Sequence, residues 1–275
     1  AIIAYNNEDT ILKCLNSLIG NVDEIHIALG TCKNSTPEII KQFSDAHPDI
    51  GVNVIPAPKI EAYKFGFDDA RNLSVSQILT DWVLWIDTDE YLVGNIRQYL
   101  RCNSLQSYMI SQHHFTVEPR GAPAQIDRAA RLFRNGIGFK ARGHIHEHFE
   151  APDGGPGRSY LLENVDIGHT GYVNEEVRKG RFDRNWPFLK WEHAEPEQRK
   201  LNHFLWFRDI IHRMRYEQKH GRAAAVLKLA HEAETYYNEH YEDMGAFGPG
   251  IFMSLQYLVE AYKVLGKGVP MKLML

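Results

Sequence analysis

The sequence predicts an α/β protein with a doubly wound, mostly parallel sheet, followed by an α-helical C-terminal region. In the first 100 residues, short apolar runs alternate with amphipathic helical patterns, and this strand–helix–strand order is typical of parallel sheets with right-handed crossovers. From residue 175 onward the pattern is helical and dense in Trp, Tyr, Leu, Ala and charged residues. These two observations carry the fold prediction.

The predicted strands of the first half are short apolar runs. Residues 1–5 and 24–29 form two of them. Residues 51–55 alternate apolar and polar side chains, as in an outer strand. Residues 82–86 (WVLWI) are apolar throughout, which is typical of a central parallel strand covered on both faces.

Three helices are predicted between these strands. The first is capped by Asn6 or Asn7 and ends at Gly20. The second begins around Ser35, with a proline at an early helical position. The third covers residues 68–79. Ligands of such sheets bind beyond the carboxyl ends of the strands, so functional residues are expected there.

The second half divides into two patterns. Residues 107–172 are strand-like and rich in glycine and histidine, and helical patterns follow at about 199–219, 222–240 and 252–265. These helices resemble tetratricopeptide units, although no clean 34-residue repeat is present; a plain helical cap is the alternative. We therefore predict a domain over residues 1–172 and a helical region over residues 173–275.

Composition excludes several classes of protein. The 275 residues are 44% hydrophobic and 24% charged, which excludes a disordered or fibrous chain. The net charge of −4 argues against nucleic-acid binding by bulk charge. Three widely spaced cysteines argue against a disulfide framework and favour a reducing compartment. Without a signal peptide or an apolar run of about 18–20 residues, we expect a cytoplasmic protein, although the sequence starts inside an apolar run without Met.

Three acids follow the predicted central strand directly, in the sequence Asp87-Thr88-Asp89-Glu90. Carboxylates at the end of a hydrophobic strand need compensating positive charge. A divalent cation bridging a diphosphate would provide it, because hard oxygen ligands suit Mg²⁺ or Mn²⁺. The alternative is a solvated turn with acids at a helix N-terminus.

Arg71 lies in the sequence Asp69-Ala70-Arg71-Asn72, near the start of the third predicted helix. Its charge would add to the backbone amides that favour anions at a helix N-terminus. The alternative is an ordinary surface arginine.

The histidine-rich segment 143–148 (GHIHEH) has several interpretations. On a strand, His144, His146 and His148 would share one face, which suggests a three-histidine zinc site. Alternatively, Glu147 is a general base with histidines around it, or the segment is an open polar strand face. His169, in the sequence IGHTGY, is a further candidate ligand.

Taken in order, five segments resemble the family 2 glycosyltransferases of GT-A fold, a Rossmann-like arrangement. They are IIAYNNEDTILKCLNSL, EIHIALGTCKNSTPEII, FGFDDARNLSVSQILTDWVLWIDTDEYL, RAARLFRNGIGFKARGHIHEHF and IGHTGY, within residues 1–172. The similar subgroup has ARN, D-x-D, RLFR, IHE and H-x-GY motifs and a helical or tetratricopeptide-like tail, and includes peptide S-glycosyltransferases. No single motif is specific, but five motifs in the expected order and spacing are a strong signal.

The resemblance implies a metal-dependent, inverting transfer of a hexose from a nucleotide-sugar, with a UDP-sugar expected. It implies a divalent cation, Mn²⁺ or Mg²⁺, held by Asp89 and approached by His169, and a catalytic base at Glu147. It puts Arg71 near the diphosphate-sugar and Asp87 on the ribose side. The residues implied to bind the donor are Ala4, Tyr5, Asn6, Arg71, Asp87 and Thr88.

One position departs from the family pattern. Leu29 stands where the family has an aspartate that contacts the base, and Asn34 stands at a later aspartate. The acceptor is not indicated, with a glycan or a peptide favoured. Three alternatives stay open: a zinc hydrolase built on the histidines, a non-catalytic sugar-nucleotide binding protein, and a same-fold enzyme that modifies a nucleic-acid base.

Overall fold

The computed structural model describes residues 1–57, 65–101, 104–115, 125–171, 175–194, 203–244 and 248–268, and it does not describe the side chains of residues 175–182, 248 and 249. The α/β fold class with C-terminal helices is confirmed. The chain forms two compact units, Ala1–Glu192 and His193–Leu275. The predicted functional division after residue 172, which lies outside the described residues, stays a prediction.

The strands all belong to the first unit. Their bounds are β1 Ile2–Ala4, β2 Glu24–Leu29, β3 Gly51–Pro56, β4 Trp82–Leu84, β5 Glu90–Val93, β6 Ser107–His114, β7 Gln125–Arg134, β8 Lys140–Arg142, β9 His148–Glu150 and β10 Ser159–His169.

The described strands form three sheets. The first has the order β1-β2-β3 with parallel pairing. The second has the order β4-β7-β6-β10-β5, in which β6 and β10 are parallel and the other pairs antiparallel. Strands β8 and β9 form an antiparallel pair. Strands that are connected by helices therefore pair mostly in parallel, whereas strands later in the chain pair mostly antiparallel.

Backbone hydrogen bonds connect the first two sheets. The Ala1 nitrogen donates to the Leu84 carbonyl over 2.7 Å, and the Ile86 amide donates to the Ala1 carbonyl over 3.2 Å. The chain after β4 therefore runs beside β1. On its other side, the Trp85 amide donates to the carbonyl of Arg131 in β7 over 2.9 Å.

Helices connect the parallel strands and end the first unit, and the described part of the second unit is also helical. Their bounds are α1 Ile11–Leu18, α2 Thr36–Ala46, α3 Phe67–Val75, α4 Glu175–Ala194, α5 His203–Lys219, α6 Ala223–His240 and α7 Gly248–Val264. Helix α3 ends four residues before the predicted position, and Leu79 is 92% exposed. Among the described residues, no helix is both long and apolar enough to cross a membrane.

The described residues of the first unit form two apolar clusters. One contains Ile2, Ile27 and Ile86 of the sheet together with Ile11 and Leu15 of α1. The other contains Trp85 together with Phe133, Phe139 and Phe149 of β7, β9 and the intervening chain. Along the segment after β4, successive side chains pack alternately into the two clusters, as expected of extended backbone. Asp87 follows this segment and lies where the sheet ends.

Candidate functional site

Ligand binding is predicted beyond the carboxyl ends of the parallel strands, and these ends lie together at one edge of the sheet. Ala4, at the end of β1, lies in register with Leu29, at the end of β2. The Gly30 amide donates to the Ala4 carbonyl over 2.9 Å. Because residues 85–87 run beside β1, the acid cluster lies at this same edge.

Glu90 is the most enclosed member of the acid cluster. Its side chain is 0% exposed and accepts hydrogen bonds from both terminal nitrogens of Arg131, over 2.9 and 3.1 Å. Gln112 and the Asp87 amide donate to the same carboxylate. Burial raises the pKa of Glu90, and the charge of Arg131 opposes this shift. Four donors engage its two carboxylate oxygens. Glu90 is therefore an internal part of the scaffold.

Arg71 connects Asp87 with Glu147. Its Nη2 donates to Asp87 Oδ1 over 2.5 Å and to Glu147 Oε1 over 2.7 Å, and its Nε donates to the same Glu147 oxygen over 2.9 Å. The Arg71 side chain is 3% exposed, whereas that of Asp87 is 31% exposed. Burial works to raise the pKa of Asp87, but the charges of Arg71 and Arg131 outweigh it and the pKa is lowered.

Trp85 lies against both arginines. Its ring centroid is 4.3 Å from the guanidinium carbon of Arg71 and 3.7 Å from that of Arg131. Its indole N–H donates to the Ala130 carbonyl over 2.7 Å, which fixes the ring. Cation–π attraction is strongest at desolvated sites such as this one, so Trp85 holds both cations behind the acid cluster.

Asp89 faces His169. The two side chains approach to 3.3 Å between Oδ2 and Nε2, and the amide and hydroxyl of Thr170 both donate to the Asp89 carbonyl over 3.0 Å. On the other side of the His169 ring, its Nδ1 lies 2.7 Å from Nδ1 of His114. The carboxylate of Asp127 lies 2.9 Å from Nε2 of His114.

The donor chemistry of Asp89 and His169 fits a divalent cation. A carboxylate oxygen and an imidazole nitrogen are both ordinary ligands of Mn²⁺. Two neighbouring ligands of one octahedral cation, each at about 2.1 Å, are about 3 Å apart, close to the 3.3 Å between these atoms. The two residues therefore need little rearrangement to share one ion.

The prediction that His144, His146 and His148 share one strand face is wrong. The chain over residues 143–147 is irregular, because Gly143 and His146 have φ of +99° and +55°, which breaks extended geometry. His144 is buried and stacks on Trp191 at 3.5 Å between centroids. His148 is exposed and pairs with Glu150 over 2.8 Å.

This turn instead directs Glu147 toward Arg71. A Cβ at Gly143 would meet the Ile145 carbonyl oxygen at 2.9 Å, so the tight turn requires glycine. Among the described residues, one candidate metal-binding group contains a histidine of this segment: His144 with Asp68 and Asp69. The three-histidine basis for a zinc hydrolase is therefore lost.

The residues implied to line a nucleotide pocket lie at the end of β1 and in the acid cluster. Ala4 and Thr88 are buried. Asn6 has φ of +54°, and its side-chain oxygen accepts the Lys33 amide over 2.8 Å. The ring of Tyr5 packs on Gly30, where a Cβ would lie 3.0 Å from Tyr5 Cδ2.

The two departures from the family pattern have different surroundings. Leu29 is partly buried and packs against the first apolar cluster. Asn34 accepts the amide and hydroxyl of Thr36, over 3.2 and 2.8 Å, and so orders the start of α2. The side-chain oxygen of Asn34 is thus already engaged in the fold.

Sequence reasoning missed several members of the site. Trp85 enters the sequence analysis only as part of a buried strand, and Arg131 only as the first residue of the RLFR motif. Gln112, His114 and Asp127 were not identified, since they come from β6 and β7. The side chain of Gln112 reaches Glu90, and strand pairing places His114 opposite His169. A charged residue inside an apolar run, as in RLFR, was the one available signal.

Comparison with known proteins points to one family. Residues 1–95 match the model of glycosyl transferase family 2. Two curated relatives, the SPbeta prophage-derived glycosyltransferase SunS of Bacillus subtilis strain 168 and the glycosyltransferase SunS of Bacillus phage SPbeta, are each 27% identical over 190 residues, or 67% of this chain. The aligned part covers 42% of each relative, so the chain spans less than half their length.

Two solved structures match most of this chain. Residues 1–349 of S. aureus TarS give a TM-score of 0.42 at 13% identity, covering 94% of this chain and 79% of that one. The mannosyltransferase PcManGT of Pyrobaculum calidifontis, solved with GDP-Man and Mn²⁺, gives 0.47 at 11% identity, covering 97% and 86%.

Proposed function

We propose that this protein, which belongs to glycosyl transferase family 2 through residues 1–95, moves a hexose from a nucleotide-sugar to an acceptor with inversion at the anomeric carbon. The proposed catalytic domain covers residues 1–172, and the helical region follows it. The supporting observation is that Arg71 joins Asp87, at a strand end, to Glu147, in a distant loop.

The reaction needs two different chemical environments close together. A diphosphate leaves one side of the anomeric carbon and needs positive charge, while a base removes the acceptor proton on the other side. Arg71 carries a permanently charged guanidinium, and its side chain is only 3% exposed. Glu147, which is 11% exposed, is the carboxylate proposed for the acceptor side.

In the proposed step, the acceptor hydroxyl or thiol gives its proton to a Glu147 carboxylate oxygen as its heteroatom bonds to the anomeric carbon. The bond between that carbon and the diphosphate oxygen breaks, and the nucleoside diphosphate leaves with the electron pair. The Arg71 hydrogen bonds orient the Glu147 carboxylate before the proton arrives. Ala4, Tyr5, Asn6, Asp87 and Thr88 are proposed to bind the nucleoside part of the donor.

Mn²⁺ or Mg²⁺ is proposed to be held by Asp89 and His169, where it would neutralise charge on the leaving diphosphate. The proposed donor is a UDP-sugar, and the proposed acceptor is a glycan or a peptide. With Leu29 in place of an acidic side chain, base recognition rests on contacts other than a carboxylate at that position.

The test is a donor screen with a matched pair of variants. Wild-type protein is incubated with Mn²⁺ and UDP-, GDP-, dTDP- and CDP-sugars, and donor hydrolysis is measured together with Mn²⁺-dependent donor binding by calorimetry. Asp89→Ala should lose metal-dependent donor binding while keeping its unfolding midpoint. Asp45→Ala, an exposed carboxylate paired with Lys41, is the control and should behave as wild type.

Each other outcome has a meaning. Donor binding without hydrolysis or transfer in the wild type would favour a non-catalytic sugar-nucleotide binding protein. Unchanged binding by Asp89→Ala would reject the metal assignment. Failure of all four donors to bind would reject the transferase proposal.

A further inference from the structure

Four side chains from four different segments form a continuous line of contacts. Asp127 lies 2.9 Å from His114 Nε2, the facing Nδ1 atoms of His114 and His169 are 2.7 Å apart, and His169 Nε2 lies 3.3 Å from Asp89. Both imidazoles are buried, at 8% and 5% exposure. His114 and His169 are direct register partners on neighbouring strands β6 and β10, so the backbone fixes their contact.

Hydrogen-bond chemistry limits where the protons can lie. A 2.7 Å contact between two ring nitrogens holds one proton, carried by either ring. If His169 Nε2 offers its lone pair to a cation, its proton must be on Nδ1, since a ring without either proton would be an imidazolate. His114 Nδ1 must then accept, which puts the His114 proton on Nε2, facing Asp127.

We infer that His114 and Asp127 are positioning residues that set the tautomer of His169, so that its Nε2 lone pair is directed beside Asp89 toward a divalent cation. This inference rests on the proposed function, because it takes Asp89 and His169 as the metal pair. Metal-binding histidines usually donate their other ring N–H to an acceptor, and loss of that acceptor weakens metal binding about 10–100-fold. Here the acceptor is a second histidine, oriented in turn by a carboxylate.

A neighbouring pair provides a matched control. His113, the preceding residue of β6, lies 3.2 Å from Asp166 of β10. Adjacent residues of a strand point to opposite faces. His113 and Asp166 therefore form a histidine–aspartate pair on β6 and β10 that is not part of the line of contacts through His169.

The experiment measures Mn²⁺ binding to the whole chain by electron paramagnetic resonance, without donor or turnover. His114→Leu should weaken Mn²⁺ binding about 10–100-fold, and His114→Asn, whose amide oxygen can accept in place of Nδ1, should restore most of it. Asp127→Ala should give a smaller loss, and His113→Leu should give none. Imidazole ¹⁵N spectra with Mg²⁺ should show His169 protonated at Nδ1 in the wild type but not in His114→Leu.

The outcomes separate this inference from the proposed function. If the wild type binds Mn²⁺ and His114→Leu binds it equally well, with the same His169 tautomer, the inference is overturned while the metal site stands. If the wild type does not bind Mn²⁺, the metal assignment fails and the inference falls with it. If His114→Leu does not fold, Asp127→Ala and the His114→Asn spectrum decide, because Asp127 is 49% exposed on its side chain.

Discussion

Arg71 and Arg131 lie against the same tryptophan and both pair with carboxylates of the acid cluster, yet they have different surroundings. Arg131 meets Glu90, which is 0% exposed and accepts four donors. Arg71 meets Asp87, which is 31% exposed, and one oxygen of Glu147. The first pair is closed to solvent and to ligands, whereas the second is open at the strand ends.

The two carboxylates also differ in their pKa shifts. Burial raises the pKa of Glu90, whereas the two arginines lower that of Asp87. Environments that shift the pKa values of neighbouring acids in opposite directions are frequent at functional sites. The comparison teaches that charge and burial alone do not identify a site; the distinguishing feature is whether a charged group keeps a side open.

The largest expected effect is at the open pair. Glu147→Gln should lower turnover by about 10²–10⁴-fold, because the amide cannot accept the acceptor's proton, while donor binding remains. The measurement is initial-rate transfer or donor hydrolysis beside calorimetric donor binding. Glu150→Gln, on neighbouring β9 and paired with exposed His148, is the control and should keep its rate.

A joint loss of stability and turnover in Glu147→Gln would mean that Glu147 serves the fold. In that case the open pair would have a structural role, as the closed pair does.

The next effect concerns stability. Arg131→Leu leaves Glu90 buried without its cation and should lower the free energy of unfolding by about 3–5 kcal/mol. Arg71→Leu should cost less, about 1–3 kcal/mol, because Asp87 is already partly hydrated. Urea unfolding of the two variants at neutral pH, side by side with the wild type, measures both differences.

The control for this pair is the double variant Arg131→Leu/Glu90→Leu, in which both charges are gone. It should recover part of the loss, since the main cost is the uncompensated buried carboxylate. Equal destabilisation by Arg71→Leu and Arg131→Leu would contradict the distinction between open and closed pairs.

The smallest effect is on nucleotide choice at the open edge. Leu29→Asp should sharpen the preference for UDP over GDP, dTDP and CDP, because an added carboxylate can accept a base N–H. A hydrogen bond to a charged group contributes about 1.5–3 kcal/mol, or roughly one to two orders of magnitude in affinity. Competition binding of the four nucleotides to both proteins measures the change.

A wild-type preference for UDP already above about a hundredfold would show that another contact recognises the base. Asn34 is a poor candidate for that contact, because its oxygen is already bound by Thr36.

The sequence was most informative where local pattern decides structure. The apolar runs that became β1, β2 and the chain from β4 to Ile86 were predicted, because burial on both faces leaves a continuous apolar signature. The position of Asp87 and Asp89 beyond the strand followed from the same pattern. The geometry of residues 143–147 did not, since positive φ at His146 has no signal in residue type alone.

Contacts between distant strands were also beyond sequence reasoning. Arg131 and Glu90 are 41 residues apart, and His114 and His169 are 55 apart. Their meeting depends on the register of β6, β7 and β10, which apolar patterning does not determine. The acid cluster was therefore interpreted as a unit, although Glu90 belongs to the interior and Asp87 and Asp89 face outward.

Trp85 has a consequence for ligand capture. A free arginine side chain loses conformational entropy when it is immobilised, at a cost of about 1.5–2 kcal/mol. Arg71 is already immobilised between the Trp85 ring and two carboxylates, and the ring is itself fixed through Ala130. A diphosphate arriving at the strand ends would therefore meet a cation whose freedom was lost during folding, so that more of the contact energy remains for binding.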